Sequence, residues 1–236
     1  CGIGFNCGFC QLGNLCQTPT MFYLHPHKFK TNKISAAQLL QDYESGLRNF
    51  SQADLSRTAL IDVNLTEIEL RRSNLNGVNL NHSVLKKANL SESSLHGANL
   101  WRTHLCHANL AKSKLNNALL IRADLQQANL FRANLSHADL RLVSFVGANL
   151  EGADLSGANL SYANLKGANL KGANLDNAIL TGTNLREASL ENTSLDRAST
   201  NVVDSQQAVI SHLPEVSVEL VSSQRNAAKS FNRYLS

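Results

Sequence analysis

The sequence predicts an all-β solenoid whose chain turns four corners per coil. Three observations carry that prediction. Every position divisible by five, from 50 to 195, is leucine or phenylalanine. From Leu55 onward the position two before each of these is small or β-branched, and no insertion or deletion breaks the register. Self-similarity at a fixed short period is the signature of a repeat architecture.

The counts are strict. The thirty positions hold 28 leucines plus Phe50 and Phe145. From Ala53 to Thr193 there are 29 positions two before a leucine or Phe145, of which 17 are alanine and the other 12 are Ser, Thr, Val or Ile. The residue just before the leucine is most often Asn or Asp, as at Asn89, Asn99, Asp139 and Asn149. The two residues after it vary freely.

A period of five fits neither common regular structure. Five residues turn an α-helix by about 500°, which would spread the leucines around its circumference. A strand would send successive leucines to alternate faces. Leucine can point inward every time only if the chain turns a corner in each repeat. Four corners close a square, so twenty residues make one coil. The leucine and the small residue face inward, and the other three are expected to face outward. Thirty repeats would make about seven and a half coils and, at about 4.8 Å between stacked strands, a rod roughly 36 Å long.

Residues 1–33 read as an N-terminal extension. The only methionine is Met21, and the stretch 1–20 differs in composition from the rest. A fragment, a processed chain and translation from upstream of Met21 all fit, and the composition shift favours the last. Cys1, Cys7, Cys10 and Cys16 lie there. Cys7 and Cys10 form a single C-x-x-C, whereas a structural metal site usually needs two such pairs or added histidines. A lipid-bearing Cys1 is a weaker reading. Residues 34–49 are expected to be a capping helix. Ser35 suits its N-cap and Gly46 its end. Ile34, Leu39, Leu40, Tyr43 and Leu47 supply an apolar side. Residues 50–210 form the repeat body, since Ala198, Val203, Ala208 and Ile210 keep the inward phase after Leu195 until Pro214 breaks it. Residues 211–236 are a C-terminal cap or tail, read either as a strand and helix closing the rod or as a homodimer contact.

Composition excludes several classes. The 236 residues are 43% apolar and 17% charged, as in a globular chain, and net charge is +4. The apolar runs are too short to span a membrane. No basic start followed by an apolar stretch marks a secretory signal. Cysteine usage fits a reducing cytoplasm. A filled rod offers no pocket for catalysis, and no phosphate loop, nucleophile elbow or paired-carboxylate motif is present. The chain is therefore expected not to be an enzyme and to need no cofactor or metal. His104, Cys106 and His107 are the cluster nearest to a ligand set, but they straddle a corner with Leu105 pointing inward between them. Gly152, Gly157, Gly167 and Gly172 fall on corners and do not form a nucleotide loop.

The repeat resembles the pentapeptide-repeat family, whose consensus is A-(D/N)-L-x-x. The clearest matches are AlaAsnLeu at 148–150, 158–160, 163–165, 168–170 and 173–175. The resemblance covers about 150 residues and implies a right-handed quadrilateral β-helix. The lead-in ISAAQLLQDYESGLRNFSQADL resembles that of cyanobacterial members, some of which regulate differentiation through protein contacts. Other members mimic DNA and inhibit type II topoisomerases. Mimicry requires rows of acidic residues, and residues 51–200 carry 15 Lys or Arg against 13 Asp or Glu.

Residues twenty apart should stack. One column reads Ile61, Asn81, Trp101, Ile121, Arg141, Ser161; its neighbour reads Asp62, His82, Arg102, Arg122, Leu142, Tyr162. Trp101, Arg102, Ile121, Arg122, Arg141, Leu142 and Tyr162 thus form a candidate protein-binding patch of aromatic, arginine and apolar residues, the usual make-up of a hot spot. Phe131, Arg132 and Lys112 form a smaller group elsewhere. From Arg71 to Arg141 ten Lys or Arg face three Asp or Glu, but over more than one face, which argues against a nucleic-acid track. The expected function is a non-catalytic scaffold for an unidentified protein partner, with regulation as its setting. Nucleic-acid binding and topoisomerase protection are the alternatives.

Overall fold

The computed structural model describes residues 33–200. Expectations for residues 1–32 and for the tail 211–236 lie outside the described residues. So do Val203, Ala208 and Ile210.

Helix α1 spans Ala36–Glu44. Ser35 adopts extended backbone, and its hydroxyl accepts the Gln38 N–H at 3.2 Å, relieving one of the orphan amides of the first turn. Ser45 takes the C-cap, and Gly46 follows with φ 101°. Leu39 is fully buried in the same apolar cluster as the repeat leucines, with Ile34, Leu40, Tyr43 and Leu47 against it. The Tyr43 hydroxyl donates to the Thr66 carbonyl at 2.8 Å, and Lys33 pairs in parallel with Asp54. The helix and its lead-in are thereby tied to the first coils.

From Asn49 the chain coils with a period of twenty. Parallel bridges join Asn49 to Glu69, Asp54 to Asn74, Ala59 to Asn79 and Asn64 to Val84, and the series continues to Ile179 with Ser199. Each coil thus has four bridging columns, one per side. The sides are narrower than ordinary strands: one residue per repeat bridges, because the turn occupies the rest. The leucines and phenylalanines from Leu55 to Leu190 are at most 1% exposed.

In a typical repeat four of the five amides donate to backbone carbonyls. Leu130 N–H donates to Asn149 O in the next coil, Arg132 N–H to Glu151 O, and Asn129 N–H back to Ala108 O. Ala133 N–H donates to Leu130 O across the corner. The corner therefore closes with an i to i+3 bond. Its second central residue has positive φ, the mark of a type II turn. All thirty such positions, from Gln52 to Arg197, have positive φ, although only eight are glycine.

The fifth amide explains the Asn and Asp preference. Phe131 N–H donates to the Asn129 side-chain oxygen at 3.1 Å, Ser156 N–H to Asp154 at 3.1 Å, and Lys166 N–H to Asn164 at 3.2 Å. This is an Asx turn, in which the side chain replaces a backbone acceptor. Asn side chains also bond between coils: Asn129 to Asn109, Asn149 to Asn129 and Asn169 to Asn149. The position before the leucine is consequently half-buried in most repeats, as is the first after it, and only the second after it is exposed in most, where the pattern suggested three outward residues.

Buried hydroxyls are satisfied in the same economical way. Ser73, Ser83, Thr103, Thr183 and Thr193 donate to the leucine or phenylalanine carbonyl of the preceding coil, while Ser93 and Ser113 donate within their own corner. That is why Ser and Thr can replace Ala at the small inward position without an unpaired buried group.

Candidate functional site

The predicted patch lies along one corner of the solenoid. The Arg102 guanidinium sits 4.6 Å from the Trp101 ring centroid. The His82 ring lies 4.8 Å from Trp101 on the coil before, tilted by 58°. Trp101 is thus held between two side chains in a half-buried position. Ile121 is also half-buried, while Arg122 is exposed. Leu142 is 46% exposed and Tyr162 64%.

Two details come from the third dimension. Tyr162 lies over Gly182, where an added Cβ would meet its ring at 2.6 Å. Gly182 has φ 68°, and the Tyr162 ring takes the space its missing Cβ leaves. Arg141, in contrast, is engaged. Its Nε and Nη2 donate to both oxygens of Asp139, at 2.8 and 2.7 Å. Asp139 raises the Arg141 pKa and offsets its charge. Among the described residues no carboxylate pairs with Arg102 or Arg122. They are the free cations of this corner.

The structure adds residues that the column argument did not use. Leu119 is 46% exposed and Ile179 40%. Both stand where most repeats carry Asn or Asp, on the side adjoining the Trp101 corner. An aliphatic side chain there forgoes the Asx bond and exposes apolar surface. A break in a local rule without a packing gain is what a functional position looks like. The signal was present in the sequence as a departure from the Asn/Asp column.

The other candidates are placed differently. His104 and His107 are exposed on either side of buried Leu105. Cys106 donates its S–H to Asp124 at 2.9 Å. Burial, and then that hydrogen bond, push the thiol up to about 11, far from a reactive thiolate. Among the described residues no group of three His, Cys, Asp or Glu converges as metal ligands would. A cleft of about 460 Å³ lies on the next corner, lined by Thr66, Lys86, Lys87, Cys106, His107, Gln126 and Gln127. It holds no activated nucleophile. Arg132 stacks 5.0 Å from the Phe131 centroid on a further corner.

Four of the ten cations from Arg71 to Arg141 are paired with carboxylates. Arg71 and Arg72 clamp Glu92 at 2.6 and 2.8 Å, and those two hydrogen bonds hold the Glu92 carboxyl down at about 2. Lys87 pairs with Glu67 at 3.1 Å. The cations left over do not line one face.

The family profile of pentapeptide repeats matches in eight copies, at residues 49–86, 88–127, 108–145, 123–161 and 163–199. The chain belongs to the pentapeptide-repeat family, whose members fold as right-handed quadrilateral β-helices. Among solved structures it is similar to HetL of the cyanobacterium Nostoc sp. strain PCC 7120, a pentapeptide repeat protein involved in heterocyst differentiation regulation. The identity is 29%, over 75% of this chain and 92% of that one, with a TM-score of 0.36. It is also similar to QnrB1, a plasmid-mediated fluoroquinolone resistance protein, in a trypsin-treated form. That match has 15% identity over 71% of this chain and 95% of that one, with a TM-score of 0.50, and bears on the fold alone. Rfr23 of the cyanobacterium Cyanothece 51142 matches at 26% identity, over 73% and 97% of the two chains, with a TM-score of 0.28. No curated protein matches the chain. Among the described residues no helix is long and apolar enough to cross a membrane.

Proposed function

We propose that the protein is a non-catalytic binding scaffold and that its Trp101 corner engages a protein partner. One observation carries the reading. Trp101, pinned between Arg102 and His82, shares its corner with exposed Leu142 and Tyr162 two and three coils on. Aromatic and arginine anchors around apolar surface are the composition of an interface centre. Leu119 and Ile179 extend that surface on the adjoining side. The interior supports the non-catalytic part, since its polar groups are spent on the backbone. A cytoplasmic setting and a regulatory role go with the proposal. The helix α1 is read as the cap of the first coil.

The alternatives have less support. Topoisomerase protection by charge mimicry would need acidic rows, and the repeat body is slightly basic. Nucleic-acid binding would need a continuous cationic track, and Arg71, Arg72, Lys87 and Arg141 are already paired.

The test is partner capture from the native host, followed by mass spectrometry. Wild type is compared with a Trp101→Ala, Arg122→Glu variant of unchanged circular dichroism. The variant should lose specific partners. Identical partner sets would sink the patch.

A further inference from the structure

The Trp101 corner also carries a spacing. Arg102, Arg122, Leu142 and Tyr162 occupy equivalent left-handed corner positions on four successive coils, with φ between 52° and 61°. Bridged coils lie about 4.8 Å apart. Residues on one side of an α-helix recur about every 5.4 Å. Those on one side of an extended strand recur about every 6.6–6.8 Å. A helix laid along this corner therefore stays in step, one turn per coil, and slips by only about 2 Å over three intervals. A strand cannot meet each coil.

The charges give the order of contacts. Arg102 and Arg122 are one coil apart and free of carboxylates. The acids nearby are occupied: Asp139 holds Arg141, Asp124 accepts from Cys106 and Gln126, and Asp62 lies 3.9 Å from His82 at the lower end. The next two coils present Leu142 and Tyr162, while Leu119 and Ile121 flank Arg122 on its own coil. We propose that this corner receives an amphipathic helix of the partner protein, with acidic residues one turn apart over Arg102 and Arg122 and apolar residues over Leu142 and Tyr162. The inference rests on the protein-binding reading and names the partner's chemistry.

Trp101 is the only tryptophan, so its emission reports on this corner directly. The probes are two stapled helical peptides of about 16 residues. One carries glutamates one turn apart, followed on the same face by leucines. The other has lysines in place of the glutamates. The glutamate peptide should shift Trp101 emission and bind at least about tenfold more tightly than the lysine peptide, a preference that weakens with salt. An Arg102→Glu, Arg122→Glu variant of unchanged circular dichroism should reverse the preference. Equal affinities, an unreversed preference, no binding of either peptide, or tighter binding of an oligonucleotide each overturns the helix assignment. If the peptides fail but the Trp101→Ala, Arg122→Glu variant still loses partners, only this inference falls. If the partners are also unchanged, both readings fall.

Discussion

Replacing Asn129 by alanine isolates the device that makes the repeat close. The Asn129 side-chain oxygen accepts Phe131 N–H at 3.1 Å. It also accepts from the Asn149 amide at 3.4 Å, and its own amide donates to Asn109 at 3.3 Å. The first bond satisfies a backbone amide that the coil-to-coil ladder leaves over. A typical hydrogen bond contributes about 1 kcal/mol net, and a buried donor left unmatched costs more. The two ladder bonds are longer than the usual 2.7–3.2 Å range and should contribute a few tenths each. Asn129→Ala should therefore cost about 1.5 kcal/mol, or about 3–6 °C in Tm for a chain of this size. Asn129→Asp keeps an acceptor for Phe131 and loses only the donation to Asn109, so it should cost about a third as much. Urea unfolding followed by circular dichroism measures both. Amide exchange at Phe131 supplies the local readout, rising in the alanine variant and staying slow in the aspartate variant. Equal costs, or an alanine variant with full stability and a protected Phe131 amide, would refute the Asx account.

Three further outcomes follow from the same geometry. Leu130 is fully buried among stacked leucines, so Leu130→Asp adds an unpaired buried carboxylate to the 2–5 kcal/mol typical of truncating a core leucine. Thermal melting should lose its cooperative transition, and an unchanged profile would refute the inward assignment. Glu92 has a folded pKa held near 2 by Arg71 and Arg72, below its ordinary value of 4.5. Its stabilising contribution is thus present above about pH 4.5 and lost as pH falls toward 2. Acid unfolding of Glu92→Gln should be flatter across that window, and matching pH profiles would remove the clamp. Leu142 is half exposed at φ 61°, where glycine relieves about 1–2 kcal/mol of backbone strain but costs about 0.5–1 kcal/mol in entropy and some packing. Leu142→Gly should leave stability within about 1 kcal/mol of wild type while weakening partner capture, and a large loss of stability would make Leu142 a structural residue.

Most of the architecture is legible in the sequence because each repeat must solve the same packing problem. The period, the twenty-residue coil and the inward assignments of Leu130 and Ala133 follow from one rule, that apolar side chains share one interior. Ser35 and Gly46 mark the ends of α1 through equally local chemistry. The role of Asn129 is not legible, since its meaning depends on the turn geometry that brings Phe131 N–H within reach. The same holds for Leu119 and Ile179, whose departure from the Asn column gains significance only once that bond is known.

The candidate corner divides along the same line. Stacking by twenties places Trp101, Arg102, Ile121, Arg122, Leu142 and Tyr162 together without coordinates. Rotamers decide the rest: Arg102 and His82 flank Trp101, Asp139 occupies Arg141, and Tyr162 folds over Gly182. Sequence periodicity determines which residues share a corner, because the backbone repeat is rigid. Only the tertiary structure decides which of their charges remain free, because that depends on side chains meeting across coils twenty residues apart.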